Sequence, residues 1–200
     1  MPSTNRYFSE GEMRELLRQL RLKARRGRLI DQIDLALVTF SWASGCRASE
    51  LASMSLIQTQ PNWIDLRSGL ITITEAKWNS KGIIPLDPMS LRTLRRFVRE
   101  VRPRVRNAST MHQLFLTKTG NGYSPNTMTK KLRLLLTRYG FDGKTAHSIR
   151  HYFCTDLFRR GGQLHEVKAL MRHRDVRSTM VYSHATVDDL RAVINRRTCS

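Results

Sequence analysis

Between Asn62 and Leu86 the hydrophobic period of the chain switches from that of a helix face to that of a pleated strand, and this one change limits what the rest can build. Asn62-Trp63-Ile64-Asp65-Leu66, Leu70-Ile71-Thr72-Ile73-Thr74 and Ile83-Ile84-Pro85-Leu86 are short β-branched or alternating runs. Ser68-Gly69 and the stretch from Asn79 to Gly82 supply the turns between them. Three short strands joined in this way pair as antiparallel neighbours. On both sides of them apolar residues recur three and four apart. The expected fold class is mainly α with a small three-stranded antiparallel sheet (α+β). Its 200 residues are expected to form a single domain with one sizeable core.

The helical segments carry their own start and stop signals. Ser9-Glu10-Gly11-Glu12 reads as a capping box opening a helix through Met13, Leu16, Leu17 and Leu20. Arg25-Arg26-Gly27-Arg28 breaks it. Asp31 is expected to start an apolar helix through Ile33, Leu37, Phe40 and Trp42 that stops at Gly45. A short helix with Glu50, Leu51 and Met54 follows. Asp87-Pro88 caps a helix through Leu91, Leu94, Phe97, Val98 and Val101, and Ser124-Pro125 starts another through Met128, Leu132 and Leu136. Three C-terminal helices are expected near 146–160, 163–172 and 186–196, with Tyr182 between the last two.

Lys and Arg number 35 against 16 Asp and Glu, a formal net charge of +19. That excess favours a polyanionic partner, because each neutralised phosphate releases counterions. The basic residues are spread among apolar ones, and hydrophobic content is 40%, so the chain reads as a folded basic domain and not a disordered arm. Cys46, Cys154 and Cys199 are odd in number and match no zinc spacing, which suggests a reducing compartment with Cys46 and Cys154 as small buried fillers. No apolar run is long enough for a bilayer and no signal-peptide pattern opens the chain. A cytoplasmic protein with access to DNA is the expectation.

The chemistry-bearing residues are few and ordered. Arg47 lies in Gly45-Cys46-Arg47-Ala48-Ser49-Glu50-Leu51. His147 and Arg150 stand one helical turn apart, and His173 and Tyr182 follow. A guanidinium donates two parallel hydrogen bonds and stays charged, so Arg47 and Arg150 suit the non-bridging oxygens of one phosphodiester. Tyr182 is the candidate nucleophile, its phenolate favoured by neighbouring cations. His147 and His173 can exchange protons or bind the phosphate. A leaving oxygen also needs a proton, and Lys77 and Lys81 on the hairpin are both placed to give one.

Each residue has a plainer reading when taken alone. His147 and His151 stand at metal-ligand spacing, but no Glu sits where a zincin needs it and Arg150 would repel a cation. His151 alone reads as a packing residue, and His112, His165 and His184 as surface or structural ones. Arg47 alone would be a helix-start surface residue, Tyr182 a half-buried aromatic. Arg102, Arg104 and Arg106 alternate with apolar or Pro residues, as on a solvated face or a phosphate-facing edge. It is the joint order of the set that lifts the chemical reading above these.

In that order the residues resemble the tyrosine recombinases, or phage integrases. The resemblance rests on Gly45 to Leu51, the hairpin lysine before Ile84-Pro85-Leu86, His147-Ser148-Ile149-Arg150-His151, Met171-Arg172-His173 and Thr179-Met180-Val181-Tyr182-Ser183-His184. It implies that Arg47 and Arg150 clamp the phosphate and that Tyr182 attacks it. It also implies that Lys77, with Lys81 as rival, is the general acid, and that His147 and His173 assist. Such enzymes form a 3′-phosphotyrosyl link and free a 5′-hydroxyl, needing neither ATP nor metal. The implied function is site-specific recombination of double-stranded DNA (integration, excision or inversion) by a homo-tetramer on paired sites, with no cofactor and no membrane. The alternatives are a type IB topoisomerase-like nicking-closing enzyme and a catalytically inactive basic DNA-binding module.

The chain departs from the family pattern at Arg172, where glycine is usual, which implies altered backbone geometry there or an added phosphate contact. The Trp78-Asn79-Ser80 hairpin is also atypical. Only 46 residues precede Arg47, too few for the usual core-binding domain, so a trimmed catalytic domain or a short member is expected. The last helix, with its stripe of Val187, Leu190, Val193 and Ile194, is expected to dock either on its own domain or on a neighbouring protomer.

Overall fold

The computed structural model describes residues 6–74, 81–172 and 186–197. The chain begins with α1 (Glu10–Ala24), α2 (Leu29–Ser44) and α3 (Ala48–Ser53). The strands β1 (Asn62–Asp65), β2 (Leu70–Ile73) and β3 (Gly82–Pro85) follow. Then come α4 (Pro88–Arg96), α5 (Pro125–Arg138), α6 (Ala146–Arg159), α7 (Leu164–Met171) and α8 (Val187–Arg196). No helix among the described residues is long and apolar enough to cross a membrane.

The expected caps of α1, α4 and α5 form, at Ser9, Asp87 and Ser124. The Ser9 hydroxyl accepts the Glu12 N–H and the Glu12 carboxylate accepts the Ser9 N–H, so two otherwise orphaned donors at the start of α1 are satisfied. α2 starts at Leu29, two residues before Asp31. Arg28 takes the extended cap backbone, and Asp31 lies inside the first turn, where the helix dipole favours a negative charge. α2 is buried around most of its circumference, at Ile33, Ala36, Leu37, Val38 and Phe40, because α1, α4 and α6 all pack on it. Past α4, Phe97–Val101 widens into a π turn and Arg102–Arg104 tightens into a 3₁₀ turn, so Val98 and Val101 lie beyond the α-helix proper.

The sheet has order β1-β2-β3 and is antiparallel throughout. Its register sets Ile64 opposite Ile71 and Ile71 opposite Ile84, a buried isoleucine row across all three strands. β3 is an edge strand, which tolerates Pro85. α8 lies against β3 and α7 and buries Leu190, Val193 and Ile194, so the last helix docks on its own chain. Beyond it Arg197 is buried, paired with Asp156 at 2.9 Å and placed over the rings of Trp42 and Phe153.

Arg102 is not on a solvated face, nor on a phosphate-facing edge. It is buried and donates to the carbonyls of Ala108, Met111 and Gln113, tying down the loop before α5. Backbone acceptors carry no sequence signature, which is why alternation with Pro misled. Cys46 is buried as expected, whereas Cys154 is half-buried and Cys199 lies outside the described residues.

Gly45 ends α2 in the left-handed conformation, at φ 58°. A Cβ built there would stand 2.4 Å from Cδ1 of Phe153, so α2 and α6 approach as closely as they do because position 45 has no side chain. Gly45→Ala meets both the backbone and the packing obstacle. It is expected to cost about 2–4 kcal/mol, read as a lower urea midpoint at unchanged slope.

Candidate active site

The end of α2 places the first arginine. Gly45 turns the chain, Cys46 packs inward, and Arg47 adopts extended backbone as the residue capping α3. Three residues on, the Glu50 carboxylate accepts the Arg47 backbone N–H at 2.7 Å and its Nη1 at 2.7 Å. Glu50 is 1% exposed, so this carboxylate is held inside the protein.

α6 supplies the second arginine. His147 is its second residue and is exposed at the helix N-terminus, where the dipole favours an anion. Arg150, one turn on, is buried. Its Nη1 donates to the Gly45 carbonyl at 2.6 Å and its Nη2 to the Met171 carbonyl at 2.5 Å. Arg150 is thus fixed from the turn before Arg47 and from the end of α7. His151 stacks on Tyr7 with ring centroids 3.8 Å apart, a packing role as expected. His112 is half-buried with Nδ1 3.3 Å from the Ser55 hydroxyl, and His165 is half-buried too.

Arg172 follows α7 in the left-handed conformation, at φ 52°. It keeps the backbone shape a glycine would take there, at a cost of about 1–2 kcal/mol for a residue with a Cβ. Its guanidinium turns inward and not toward solvent. Nη2 meets the Glu50 carboxylate at 2.7 Å, and Nη1 donates to the Leu170 carbonyl at 3.0 Å. The expected alternative of an added phosphate contact is therefore corrected, since the Arg172 side chain is 0% exposed.

The guanidiniums of Arg47 and Arg172 hold the Glu50 carboxylate, and that of Arg150 lies near enough to feel all three charges. Burial by itself raises the pKa of Glu50, but Arg172 and then Arg47 outweigh it and hold the group below its usual range. Burial, followed by the charges of Arg47 and Arg172, pushes Arg150 down to about 10, which leaves it charged at neutral pH. Burial and the Glu50 charge push the Cys46 thiol up to about 11, which disqualifies it as a nucleophile near pH 7. Among the described residues, no group of three His, Cys, Asp or Glu side chains is arranged to hold a metal ion.

Of the six residues picked out by sequence, the structure describes Arg47, His147 and Arg150; it brings Arg150 to the Gly45 carbonyl, two residues before Arg47, and leaves His147 exposed one turn before Arg150 on α6. Lys77, His173 and Tyr182 lie outside the described residues, as does His184. Lys81 is described and exposed, directly before β3. Sequence reasoning did not single out Glu50 as the buried counter-charge, although its place three residues after Arg47, at a helix start, was a usable signal. It had no means of finding the Gly45 and Met171 carbonyls.

A family model, the phage integrase family, matches residues 7–188. Tyrosine recombinase XerC of Alcanivorax borkumensis is 31% identical over 161 residues, 80% of this chain and 50% of that protein. Tyrosine recombinase XerD of Listeria monocytogenes is 30% identical over 155 residues, 76% of this chain and 50% of that protein. The chain thus spans about half the length of these curated relatives. Among solved structures, XerA recombinase superposes with TM-score 0.69 at 21% identity, covering 100% of this chain and 68% of that one. The Tn1549 transposon integrase in complex with transposon right end DNA gives 0.68 at 19% identity, covering 98% and 67%. These structural likenesses bear on fold alone, and they agree with the helices and the three-stranded sheet described above. Family match and curated relatives together establish that the chain belongs to the phage integrase family of tyrosine recombinases.

Proposed function

We propose that the chain is the catalytic part of a site-specific DNA recombinase that cuts and rejoins strands by transesterification. The observation that carries this is the pair Arg47 and Arg150, both oriented by internal acceptors around one turn. Among the described residues the Glu50 carboxylate pairs with Arg47 and Arg172, while Arg150 is held by two carbonyls and has no carboxylate of its own. The excess of positive charge suits a phosphodiester, whose negative charge grows in the transition state.

In this reading the Tyr182 phenol oxygen attacks the scissile phosphorus and the P–O5′ bond breaks. The 3′ end is left on the tyrosine, and the 5′ oxygen departs with a proton. Lys77 donates that proton, with Lys81 as the alternative donor. Arg47 and Arg150 hold the non-bridging oxygens, and His147 and His173 assist in proton transfer and phosphate binding. The 5′-hydroxyl of a partner strand then reverses the step, so one ester replaces another and no cofactor enters. Double-stranded DNA is the substrate, a homo-tetramer on two sites the working assembly, and the cytoplasm the setting.

The direct test uses a library of nicked suicide duplexes, which trap the covalent intermediate. Wild-type protein is expected to form a denaturant-resistant adduct, and Tyr182→Phe none. Arg150→Ala is expected to slow adduct formation by roughly 10²–10³-fold. Adduct with supercoil relaxation but no exchange between sites would mark a nicking-closing enzyme, and no adduct on any duplex would mark a binding module.

The site's electrostatics give a second expectation. Because the folded pKa of Glu50 lies below its unfolded value, its contribution to stability is present above about pH 4.3 and lost as pH falls through the folded pKa. Glu50→Gln is expected to cost about 3 kcal/mol at pH 7 in urea unfolding. The gap to wild type should narrow steadily below about pH 4.

A further inference from the structure

We propose that Arg172 is a positioning residue for strand transfer, an internal strut that sets the two phosphate-clamping arginines and does not itself touch DNA. This rests on the recombinase reading above. Its own support is a chain of contacts on one short turn. Arg172 Nη2 donates to Glu50 Oε2, which also accepts the Arg47 backbone N–H, while Glu50 Oε1 accepts from the Arg47 guanidinium. The carbonyl of Met171, the preceding residue, holds Arg150. Arg172 Nη1 closes back on the Leu170 carbonyl, so the turn that aims Arg150 and the side chain that fixes Glu50 move as one unit.

The sheet completes the strut. A Cβ on Gly82, the first residue of β3, would stand 2.9 Å from Arg172 Cγ and 3.2 Å from its Cδ. The arginine stem therefore lies on the root of β3 in space that only a glycine leaves open. Gly82 is not in the left-handed region, so its lack of a side chain serves this approach and not a turn. Arg172 meanwhile holds a left-handed backbone that its own Cβ disfavours, and its buried Nε has no acceptor among the described residues. Local strain of this kind persists when the surroundings over-determine a geometry. Here the determined geometry is that of Arg47 and Arg150.

The test is single-turnover adduct formation on the suicide duplex selected above, with Kd measured across a salt series. Assays run well below each variant's unfolding midpoint. Arg172→Gly suits the backbone better but removes the strut. It is expected to slow adduct formation by on the order of 10²-fold, with Kd changed less than threefold. The slope of log Kd against log salt should stay unchanged. Arg172→Lys restores a cation beside Glu50 and should recover part of the rate. Gly82→Ala, which leaves Arg172 in place but displaces its stem, should slow the reaction similarly. Combined with Arg172→Gly it should add no further loss, because the side chain it pushes is gone.

Wild-type rates in both single variants overturn the proposal. So does a salt slope reduced by about 1 in Arg172→Gly, the mark of a lost phosphate contact. Absence of adduct with wild-type protein overturns the recombinase reading itself, and the strut with it.

Discussion

A carboxylate enclosed between two guanidiniums is the interaction on which this site depends. Glu50 sits at 1% exposure, where an unpaired anion would cost several kcal/mol after relaxation. Arg47 and Arg172 make its burial tolerable, and in doing so they lose their freedom to wander. Two long flexible side chains on different segments are thereby converted into fixed parts. Among the described residues, and with Arg150 added, the cluster holds three positive charges and one negative. Such a site favours an anion at the rim left by Arg47, whose side chain keeps 29% of its exposure.

The scaffold serves that cluster at each of its ends. α2 delivers Gly45, whose missing side chain admits Phe153 and whose carbonyl anchors Arg150. α6 carries His147 and Arg150 one turn apart, with His147 at the electropositive helix start and Arg150 sealed beneath it. α7 ends in the turn that supplies the Met171 carbonyl and Arg172. The sheet contributes the bare Gly82 backbone, and α8 covers β3 and α7. Fixed donors of this sort need no reorganisation when charge develops, which is where much of the rate of phosphoryl chemistry originates.

Much of this was legible in the residues because local signals agreed with the global fold. Ser9 and Glu12, Asp87-Pro88 and Ser124-Pro125 each mark a helix start, and the isoleucines of three short runs mark one buried sheet face. Arg47 and Arg150 lie far apart in sequence, and the structure brings the second to the turn that precedes the first, with His147 exposed one turn before Arg150. What escaped were interactions with no side-chain signature or with two competing outcomes. Arg102 is captured by carbonyls, and nothing in Val-Arg-Pro-Arg distinguishes that from a solvated arginine. Arg172 sits where an outward and an inward rotamer are equally compatible with sequence, and only the buried Glu50 and the bare Gly82 decide between them. Whether α8 docks on its own chain depends on its fit to β3 and α7, which an amphipathic stripe alone does not specify.

The most direct measurement removes the charge that Arg47 and Arg150 are held to meet. On a suicide duplex whose scissile phosphate is replaced by a methylphosphonate, one non-bridging oxygen and its negative charge are gone. If the two guanidiniums act by stabilising that charge, the deficit of Arg47→Ala and Arg150→Ala relative to wild type shrinks at least tenfold, on the order of 1.4 kcal/mol, compared with the native phosphate. An equal deficit on both substrates would contradict a phosphate-clamping role for the pair.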